Sequence, residues 1–287
     1  MEFYHLRSFV VVAKTGNLTA AAKQLFTTPP AISAHIKSLE EELKTPLFDR
    51  SSKGMALTEK GRLLLPKAEI TLNSAIDIVN LAVENQNELM GTFKIAINQS
   101  SNQLKLPVLL QNIVENCQGI NLTLESLSTG NAIKALQNNI IDGAYVYENV
   151  PTELFSLAIK KQKITTIAPL NCYLTANSSL TELAQYSWVA MGGNCPFDKH
   201  LTTKLKPFTR SNLHTSNDHT RLQLVKAGYG LSFIELYEAK EAEKLGHVNL
   251  LPQLDFDLPL FFAVKKSRMN EPVINAILQE IKILWNS

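Results

Sequence analysis

The stretch from Asn17 to Arg50, NLTAAAKQLFTTPPAISAHIKSLEEELKTPLFDR, decides the fold of the N-terminal part of this chain. Its first third predicts a short helix from Thr19 to about Leu25, with small residues on one side that let another helix approach closely. A second helix is predicted to begin at Thr28, whose hydroxyl can cap free amides. Two prolines follow in the first turn, which needs no backbone donors. The stretch therefore predicts two helices with a fixed junction.

The second helix separates apolar from polar positions. Its outward face carries Pro30, Ser33 and Ala34 near the start and Lys37 further along. Small side chains let a backbone approach base edges in a DNA major groove, and a lysine can meet a phosphate. This face is therefore predicted to bind DNA. The inward face is predicted from apolar residues at spacings of four and three, which are Ile32, Ile36, Leu39 and Leu43.

A helix, a capped helix and a hairpin in this order resemble the winged helix-turn-helix of the LysR-type transcriptional regulators. Two departures stand out, because the family commonly has Gln where this chain has Pro29 and Arg where it has Ala34. Both usual residues contact bases or phosphates, so the resemblance implies more reliance on DNA shape, methyl contacts and the hairpin. The residues that carry the resemblance are Ala20-Ala21-Ala22, Pro30-Ala31-Ile32-Ser33, Ile36, Leu39-Glu40-Glu41-Glu42-Leu43, Pro46-Leu47-Phe48-Asp49-Arg50 and Leu57-Thr58-Glu59-Lys60-Gly61.

The predicted hairpin follows the second helix, with strands at 47–50 and 55–57 and Gly54 at the permissive turn position. In the resembling family this hairpin is the wing beside the DNA, where phosphates and narrow A·T tracts favour positive charge. A role in stabilising the small domain is the alternative. The predicted DNA-binding residues are Thr28, Pro29, Pro30, Ser33, Ala34, His35, Lys37, Arg50 and Lys53.

A long helix is predicted after Thr58-Glu59, and its apolar residues repeat at heptad spacing. In the resembling family this linker helix pairs two subunits, although packing on the rest of its own chain would give the same pattern. Pro66 is expected to bend or split the helix. Two subunits would place two DNA-binding helices on two half-sites, so the predicted target is an inverted repeat. The predicted dimerisation residues are Leu65, Ala68, Leu72, Ala75, Val79 and Ala82.

Composition agrees with a folded chain of more than one domain. Of the 287 residues, 45% are hydrophobic and 19% charged, so a buried core is expected. The first 65 residues contain nine Lys and Arg against six Asp and Glu, and the remainder contains 19 against 20. The positive excess therefore lies on the predicted DNA-binding part.

The sequence predicts a cytoplasmic protein without a membrane segment. No apolar run approaches the roughly 20 residues of a membrane helix, and residues 1–5 lack the regions of a signal peptide. The three cysteines, Cys117, Cys172 and Cys195, form no CxxC motif, which argues against a disulfide framework or a four-ligand zinc site. Cys195 follows a Gly-Gly-Asn loop that could be open to solvent, so a sensing role for its thiol stays open.

Strands and helices alternate from Gly91 onward, which predicts parallel sheet with helices on its faces. The arrangement resembles the two-lobed, periplasmic-binding-protein-like α/β effector domain of the same family, and residues 225–231 match its helix-to-strand turn. The predicted domains are a DNA-binding domain at 1–58, a linker helix at 59–90 and an effector domain at 91–287. Lobe I comprises 91–160 and 265–287, and lobe II comprises 161–264. Predicted strands lie at 92–98, 120–126, 143–146, 164–168, 188–191, 213–216, 231–234 and 260–264, and helices at 104–115, 131–138, 196–205, 218–227 and 272–285.

Polar residues after these strands are expected to outline a cleft for a small-molecule effector. Such lobes bind ligands at strand C-termini, where free helix amides favour anions and polar groups. Each residue alone is more often a cap or turn residue, and Arg221 and Lys199 are possible cations. The predicted effector-binding residues are Asn98, Ser100, Ser101, Asn102, Thr129, Gly130, Tyr147, Gly193, Asn194, Asn217 and Asp218.

The expected function is a dimeric or tetrameric transcriptional regulator that responds to an effector. No GxSxG, HExxH, GxxxxGK[ST] or dinucleotide fingerprint is present, so we expect no enzyme, no cofactor and no metal. Two alternatives remain open: a DNA-binding oligomer with no effector, and a ligand-binding protein whose DNA-binding role is lost. An open, polar cleft would favour an effector, and a cleft filled by side chains would not.

Overall fold

The computed structural model describes residues 1–51, 54–83, 88–148, 150–192, 195–215 and 217–286. By its internal contacts the chain separates into two compact units, Met1–Glu84 and Asn85–Ser287, here called unit 1 and unit 2.

Unit 1 is a helical domain with a two-stranded antiparallel hairpin. Thr28 and Thr58 each accept a hydrogen bond from a backbone amide at the start of a helix, so both predicted caps form. Asn17, which was not predicted as a cap, accepts from the amides of Thr19 and Ala20. Glu40 Oε1 accepts bonds from the amides of Leu47 and Phe48, which ties the hairpin to the second capped helix. The elements are α1 Phe3–Thr15, α2 Leu18–Gln24, α3 Pro29–Leu43, β1 Phe48–Ser51, β2 Gly54–Leu57 and α4 Glu59–Asn80.

The core of unit 1 confirms most of the predicted inward face of α3. Ile32, Ile36 and Leu39 are fully buried. Leu43 is 38% exposed, so its placement on the inward face was wrong, because it is the last residue of α3. Pro66 was expected to bend or split the linker helix, and the structure excludes the split. Helix α4 runs unbroken from Glu59 to Asn80, with side chains on both sides of the proline packed on the core of unit 1.

Gly54, the first residue of β2, is required by close packing as well as by its backbone conformation. Its φ of 121° lies where L side chains are rarely found. A Cβ there would lie 2.6 Å from the Gly16 carbonyl oxygen, the same atom that accepts a 2.9 Å hydrogen bond from the Met55 amide. The hairpin therefore docks backbone to backbone against the end of α1.

Unit 2 contains a six-stranded sheet in the order β4-β3-β5-β10-β6-β9, and β7 and β8 form a separate parallel pair. The strands are β3 Met90–Ile97, β4 Gly119–Ser126, β5 Gly143–Tyr147, β6 Leu154–Ala168, β7 Trp188–Ala190, β8 Arg210–His214, β9 Ser232–Glu235 and β10 Asn249–Lys265. The helices are α5 Leu106–Asn116, α6 Thr129–Gln137, α7 Leu180–Gln185, α8 Pro196–Lys204, α9 Asp218–Lys226, α10 Leu236–Lys244 and α11 Pro272–Asn286.

The six-stranded sheet is mixed, so the prediction of a parallel sheet was only partly right. Strand β3 is parallel to β4 and β5, whereas β10 runs antiparallel to β5 and β6, and β6 antiparallel to β9. The long strands β6 and β10 join two halves with separate hydrophobic clusters, one around Ala132 and Leu136 and one around Val225 and Ile234. Only the ends of β6 and β10 were predicted, and helices α7 and α10 were not.

Candidate functional site

The predicted DNA-binding face of α3 is open. Thr28, Pro29, Pro30 and Ala34 are exposed, and Ser33 is half-buried between them and the core. This places small side chains at the N-terminal end of a helix whose other side is fixed in the core. The arrangement lets another surface approach the backbone closely.

Lys37 supplies positive charge one turn beyond Ser33. Its side chain is 73% exposed, and its Nζ lies 3.6 Å from the carboxylate of Glu41, four residues along the helix. An exposed pair at this distance contributes about 0.5 kcal/mol or less, so a phosphate can compete for the lysine.

His35 packs within unit 1. Its Nδ1 lies 2.8 Å from Ser8 Oγ, and its ring lies 4.8 Å from the Tyr4 ring and 5.5 Å from the His5 ring, measured between centroids. Burial, and then the nearby His5, lower the pKa of His35. The ring therefore links α3 to α1.

Of the two cations predicted in the wing, Arg50 and Lys53, the structure describes only the backbone of Arg50. Arg50 occupies a position of β1 opposite Met55, and its side chain lies outside the described residues, as does all of Lys53. The predicted hairpin is present, with β1 and β2 paired antiparallel.

The predicted dimerisation stripe of α4 divides into two parts. Leu65, Ala68 and Leu72 pack on the core of unit 1, which is the own-chain alternative that the sequence left open. Ala75 is half-buried. The C-terminal part of the stripe and its apolar neighbours are exposed, namely Ile78, Val79, Leu81 and Ala82.

In unit 2, four predicted effector-binding residues line one small cavity of about 150 Å³. Asn98 and Ser100 follow β3 in one half of the sheet, and Asn217 and Asp218 begin α9 in the other half. Four more lining residues were not predicted, namely Gln99, Ser126, His219 and Glu238. Glu238 was missed because α10 was missed.

The other predicted residues that the structure describes do not line this cavity. Ser101 and Asn102 are exposed in the turn after Ser100, and Gly193 and Asn194 lie outside the described residues. Gly130 is half-buried in the first turn of α6.

Thr129 supports the cavity wall from behind. The Thr129 Oγ1 accepts hydrogen bonds from the Tyr147 amide at 3.2 Å and from Asn98 Nδ2 at 3.5 Å. It therefore fixes the end of β5 and the side chain of a lining residue together.

Behind the cavity, three buried side chains join the two halves of the sheet. The side-chain amides of Gln99 and Gln162 each donate a hydrogen bond to the amide oxygen of the other. The Tyr147 hydroxyl donates to Gln162 Oε1 at 2.8 Å and accepts from Gln99 Nε2 at 2.6 Å. Burial raises the pKa of Tyr147 well above its usual range, so its hydroxyl stays protonated. We call Gln99, Tyr147 and Gln162 the amide–tyrosine network.

Arg221 is the buried cation of this region. Its side chain is 1% exposed, and its guanidinium lies 5.8 Å from the Phe197 ring centroid. Arg221 Nη2 donates to Asp218 Oδ1 at 2.6 Å, and Arg221 Nε donates to the Phe233 carbonyl oxygen. Lys199, the other predicted cation, is exposed on α8. Arg221 is thus held by its own helix and by β9.

Cys195 lies buried at the start of α8, so the expectation of an open loop at this residue was wrong. Burial raises the pKa of its thiol to about 11. Burial and the raised pKa both disfavour the exposed thiolate that a sensing thiol needs.

Family models cover most of the chain. The model described as a bacterial regulatory helix-turn-helix protein of the lysR family matches residues 3–62, and the model described as a LysR substrate binding domain matches residues 86–284. This chain belongs to the LysR family of transcriptional regulators. The first match includes α3, and the second includes the residues that line the cavity of unit 2.

Relatives of this LysR-family regulator share its full length. CzcR of Bacillus anthracis is 23% identical over 287 residues, which cover 98% of this chain and 97% of CzcR. The structure of the probable transcriptional regulator PA0477 from Pseudomonas aeruginosa has a TM-score of 0.73 at 16% identity, covering 98% and 96% of the two chains. DarR of Vibrio fischeri, solved with DNA, has a TM-score of 0.53 at 19% identity over 98% of each chain. These structures share the fold.

Across the described ranges, no helix of the regulator combines the length and apolar character that crossing a membrane requires. The same ranges contain no group of three or more His, Cys, Asp or Glu residues arranged to hold a metal ion.

Proposed function

We propose that this LysR-family regulator binds an inverted repeat in double-stranded DNA through α3 of two subunits. The observation that carries the proposal is the open face of α3, with small residues at its N-terminal end, a lysine one turn later and a buried opposite side. Such a face suits a major groove. The proposed contacts are Thr28, Pro29, Pro30, Ser33, Ala34 and Lys37, with Arg50 and Lys53 from the hairpin; His35 holds α3 on α1.

We propose that the subunits pair through α4 to form a dimer, and that further pairing of effector domains gives a tetramer. The exposed apolar residues at the end of α4 support this, because apolar side chains gathered on one helix favour burial against a second copy. In this proposal residues 1–58 bind DNA, 59–90 link the domains and 91–287 bind the effector, with lobe I at 91–160 and 265–287 and lobe II at 161–264.

We propose that a small-molecule effector binds in the cavity between the two halves of unit 2. Support comes from the convergence of Asn98, Ser100, Asn217 and Asp218, which come from opposite halves of the sheet. A ligand that contacts both halves favours one arrangement of them over another. This is how occupancy would change the geometry of paired DNA-binding domains. We further propose that the protein acts in the cytoplasm and catalyses no reaction.

One observation favours a second candidate, a DNA-binding oligomer with no effector. The amide–tyrosine network fills the space behind the cavity, and about 150 Å³ remains open. A cleft closed by its own side chains would need no ligand to hold it. Ligand binding to unit 2 distinguishes the two candidates.

The experiment that tests DNA binding compares three variants across salt concentrations on a bound site and on random DNA. Lys37→Ala is expected to weaken binding to all sequences and to lower the magnitude of the salt slope by about 1, as expected for a lost phosphate contact. Ser33→Ala is expected to change sequence preference instead. Lys134→Ala, an exposed lysine on α6, is the control and should change neither. If the Ser33 and Lys37 variants lost the same affinity on all DNA sequences, the proposed position of α3 in the major groove would be contradicted.

A further inference from the structure

The cavity of unit 2 is small and carries an unusual set of charges. Its eight lining residues include two carboxylates, Asp218 and Glu238, and one imidazole, His219, but no lysine or arginine. A volume of about 150 Å³ corresponds to roughly five water molecules of liquid. A ligand of this size is dominated by one or two functional groups, so the charge of the wall decides which groups are accepted.

Three of the side-chain donors near the cavity, those of Gln99, Tyr147 and Arg221, are already occupied. The Gln99 amide donates to Tyr147 and to Gln162, and the Tyr147 hydroxyl donates to Gln162. The guanidinium of Arg221 is engaged by Asp218 and by the Phe233 carbonyl. An anionic ligand would have to break these bonds to use any of these three groups, including Arg221, the buried cation of the region.

Acceptors, in contrast, remain open. Asn98 Oδ1 is buried without a hydrogen-bond partner. Asp218 uses one oxygen for Arg221, and the described residues include no hydrogen-bond donor to the Glu238 carboxylate. Burial, followed by the charge of Asp218, raises the pKa of Glu238, and the nearby guanidinium of Arg221, which acts in the opposite direction, does not offset them. Unpaired acceptors beside two carboxylates suit a ligand that donates hydrogen bonds and carries positive charge.

Positive groups close to the cavity do not reverse this balance. The N-terminus of α9 contributes about half a unit charge, and Asn217 already caps it by accepting from the Thr220 amide. Lys160 is engaged by Gln103, with its Nζ 2.9 Å from the Gln103 carbonyl oxygen. Glu235, at the start of α10, adds a third carboxylate that also raises the pKa of Glu238.

We propose that the cavity accepts a small organic ammonium compound, with its charged nitrogen between Asp218 and Glu238 and a hydrogen bond to Asn98 Oδ1. Small carboxylates are excluded by the same groups. This inference rests on the proposed effector role of the cavity and assigns the chemical class of the effector.

The test is calorimetric titration of the full-length protein at pH 7.5 and low salt with three probes of similar size. Ethanolamine carries the ammonium, ethylene glycol is its neutral counterpart and glycolate is the anion. Ethanolamine is expected to bind at least tenfold more tightly than the other two. Glu238→Gln should weaken ethanolamine binding at least fivefold and leave ethylene glycol unchanged. Glu241→Gln, an exposed residue on the same helix, is the control and should stay within twofold of the parent protein.

Two results would overturn the inference. One is glycolate or ethylene glycol binding as tightly as ethanolamine, and the other is no binding of ethanolamine at all. DNA selection with the same protein separates this failure from failure of the proposed function. If an inverted repeat is retained while ethanolamine fails, the DNA-binding role stands and the assignment of an ammonium ligand to the cavity is wrong. If ethanolamine binds while no sequence is enriched, the DNA-binding role is wrong.

Discussion

Two ion pairs, each within a single helix, differ in what surrounds them. On α3 the Lys37 and Glu41 side chains lie 3.6 Å apart and both are mostly exposed, whereas on α9 the Arg221 and Asp218 side chains lie 2.6 Å apart and Arg221 is 1% exposed. The exposed pair is weak and its lysine is available to phosphate. The buried pair is a fixed part of the cavity wall. The two residues of each pair are three or four positions apart in the sequence, so sequence spacing does not distinguish the pairs. What distinguishes them is burial, which leaves Lys37 exposed to solvent and fixes Arg221 in place.

The largest expected effect comes from breaking the buried pair. Arg221→Met leaves Asp218 without its cation in a mostly buried setting, which should lower the free energy of unfolding of unit 2 by about 3–5 kcal/mol. Both tryptophans, Trp188 and Trp285, lie in unit 2, so their fluorescence during urea unfolding reports on this unit. The control Lys226→Met, on the same helix, should change stability by about 0.5 kcal/mol or less. Equal effects from the two variants would contradict the role of the buried pair.

The amide–tyrosine network should give the next largest effect. Gln162→Leu removes the acceptor for the Tyr147 hydroxyl and the donor to Gln99 Oε1, while the bond from Gln99 Nε2 to Tyr147 remains. The hydroxyl hydrogen of Tyr147 and Gln99 Oε1 are then buried without a partner, which should cost about 1–3 kcal/mol. Urea unfolding followed by tryptophan fluorescence measures it, with Gln111→Leu on the exposed side of α5 as the control. A cost no larger than that of the control would mean that water replaces the lost bonds.

The stabilities of unit 1 and unit 2 should change in opposite directions as the pH falls. The pKa of His35 is lowered in the folded protein, so the unfolded chain takes up a proton first as pH falls below about 6.5, and unit 1 loses stability. The pKa of Glu238 is raised from 4.5, so the folded protein takes up the proton first, and unit 2 gains stability as pH falls toward 4.5.

Variants isolate each contribution to this pH dependence. His35→Asn should flatten the loss of hydrogen-exchange protection in α1 and α3 between pH 7.5 and 5.5. Glu238→Gln should remove the corresponding gain in unit 2, measured by tryptophan fluorescence between pH 7.5 and 4.5. Unchanged slopes in both variants would show that other groups control the response.

The smallest expected effect comes from the exposed pair. Glu41→Ala frees Lys37 and removes a negative charge beside the proposed DNA surface, so DNA affinity should rise about twofold at low salt, with stability nearly unchanged. Fluorescence anisotropy with a bound site measures the change. A loss of affinity would show that Glu41 holds Lys37 in its binding position.

The sequence predicted unit 1 well because its signals are local. Thr28 before two prolines, the spacing of Ile32, Ile36 and Leu39, and Gly54 each fix structure within a few residues. Glu40 shows what local signals leave out, because its bonds to Leu47 and Phe48 depend on how the hairpin folds back.

Unit 2 was harder to predict because its long strands carry conflicting signals. Lys161 and Lys163 in β6 pair with Asp257 and Asp255 in β10, and such charges, with the prolines of β10, weaken a strand signal that tertiary pairing restores. The same limit applies to the cavity. Glu238 comes from a helix that was not predicted, and its position beside Asp218 depends on the packing of α9 and α10.

The most direct test of the account is selection of genomic fragments by the purified protein at moderate salt, followed by sequencing of the retained DNA. The account predicts an enriched inverted repeat whose half-sites are about one helical turn apart. The Lys37→Ala protein should retain less DNA but enrich the same repeat, and the Ser33→Ala protein should enrich a changed repeat. Retention without any shared sequence, or the same enriched repeat after replacement of Ser33, would contradict the claim that α3 binds DNA specifically.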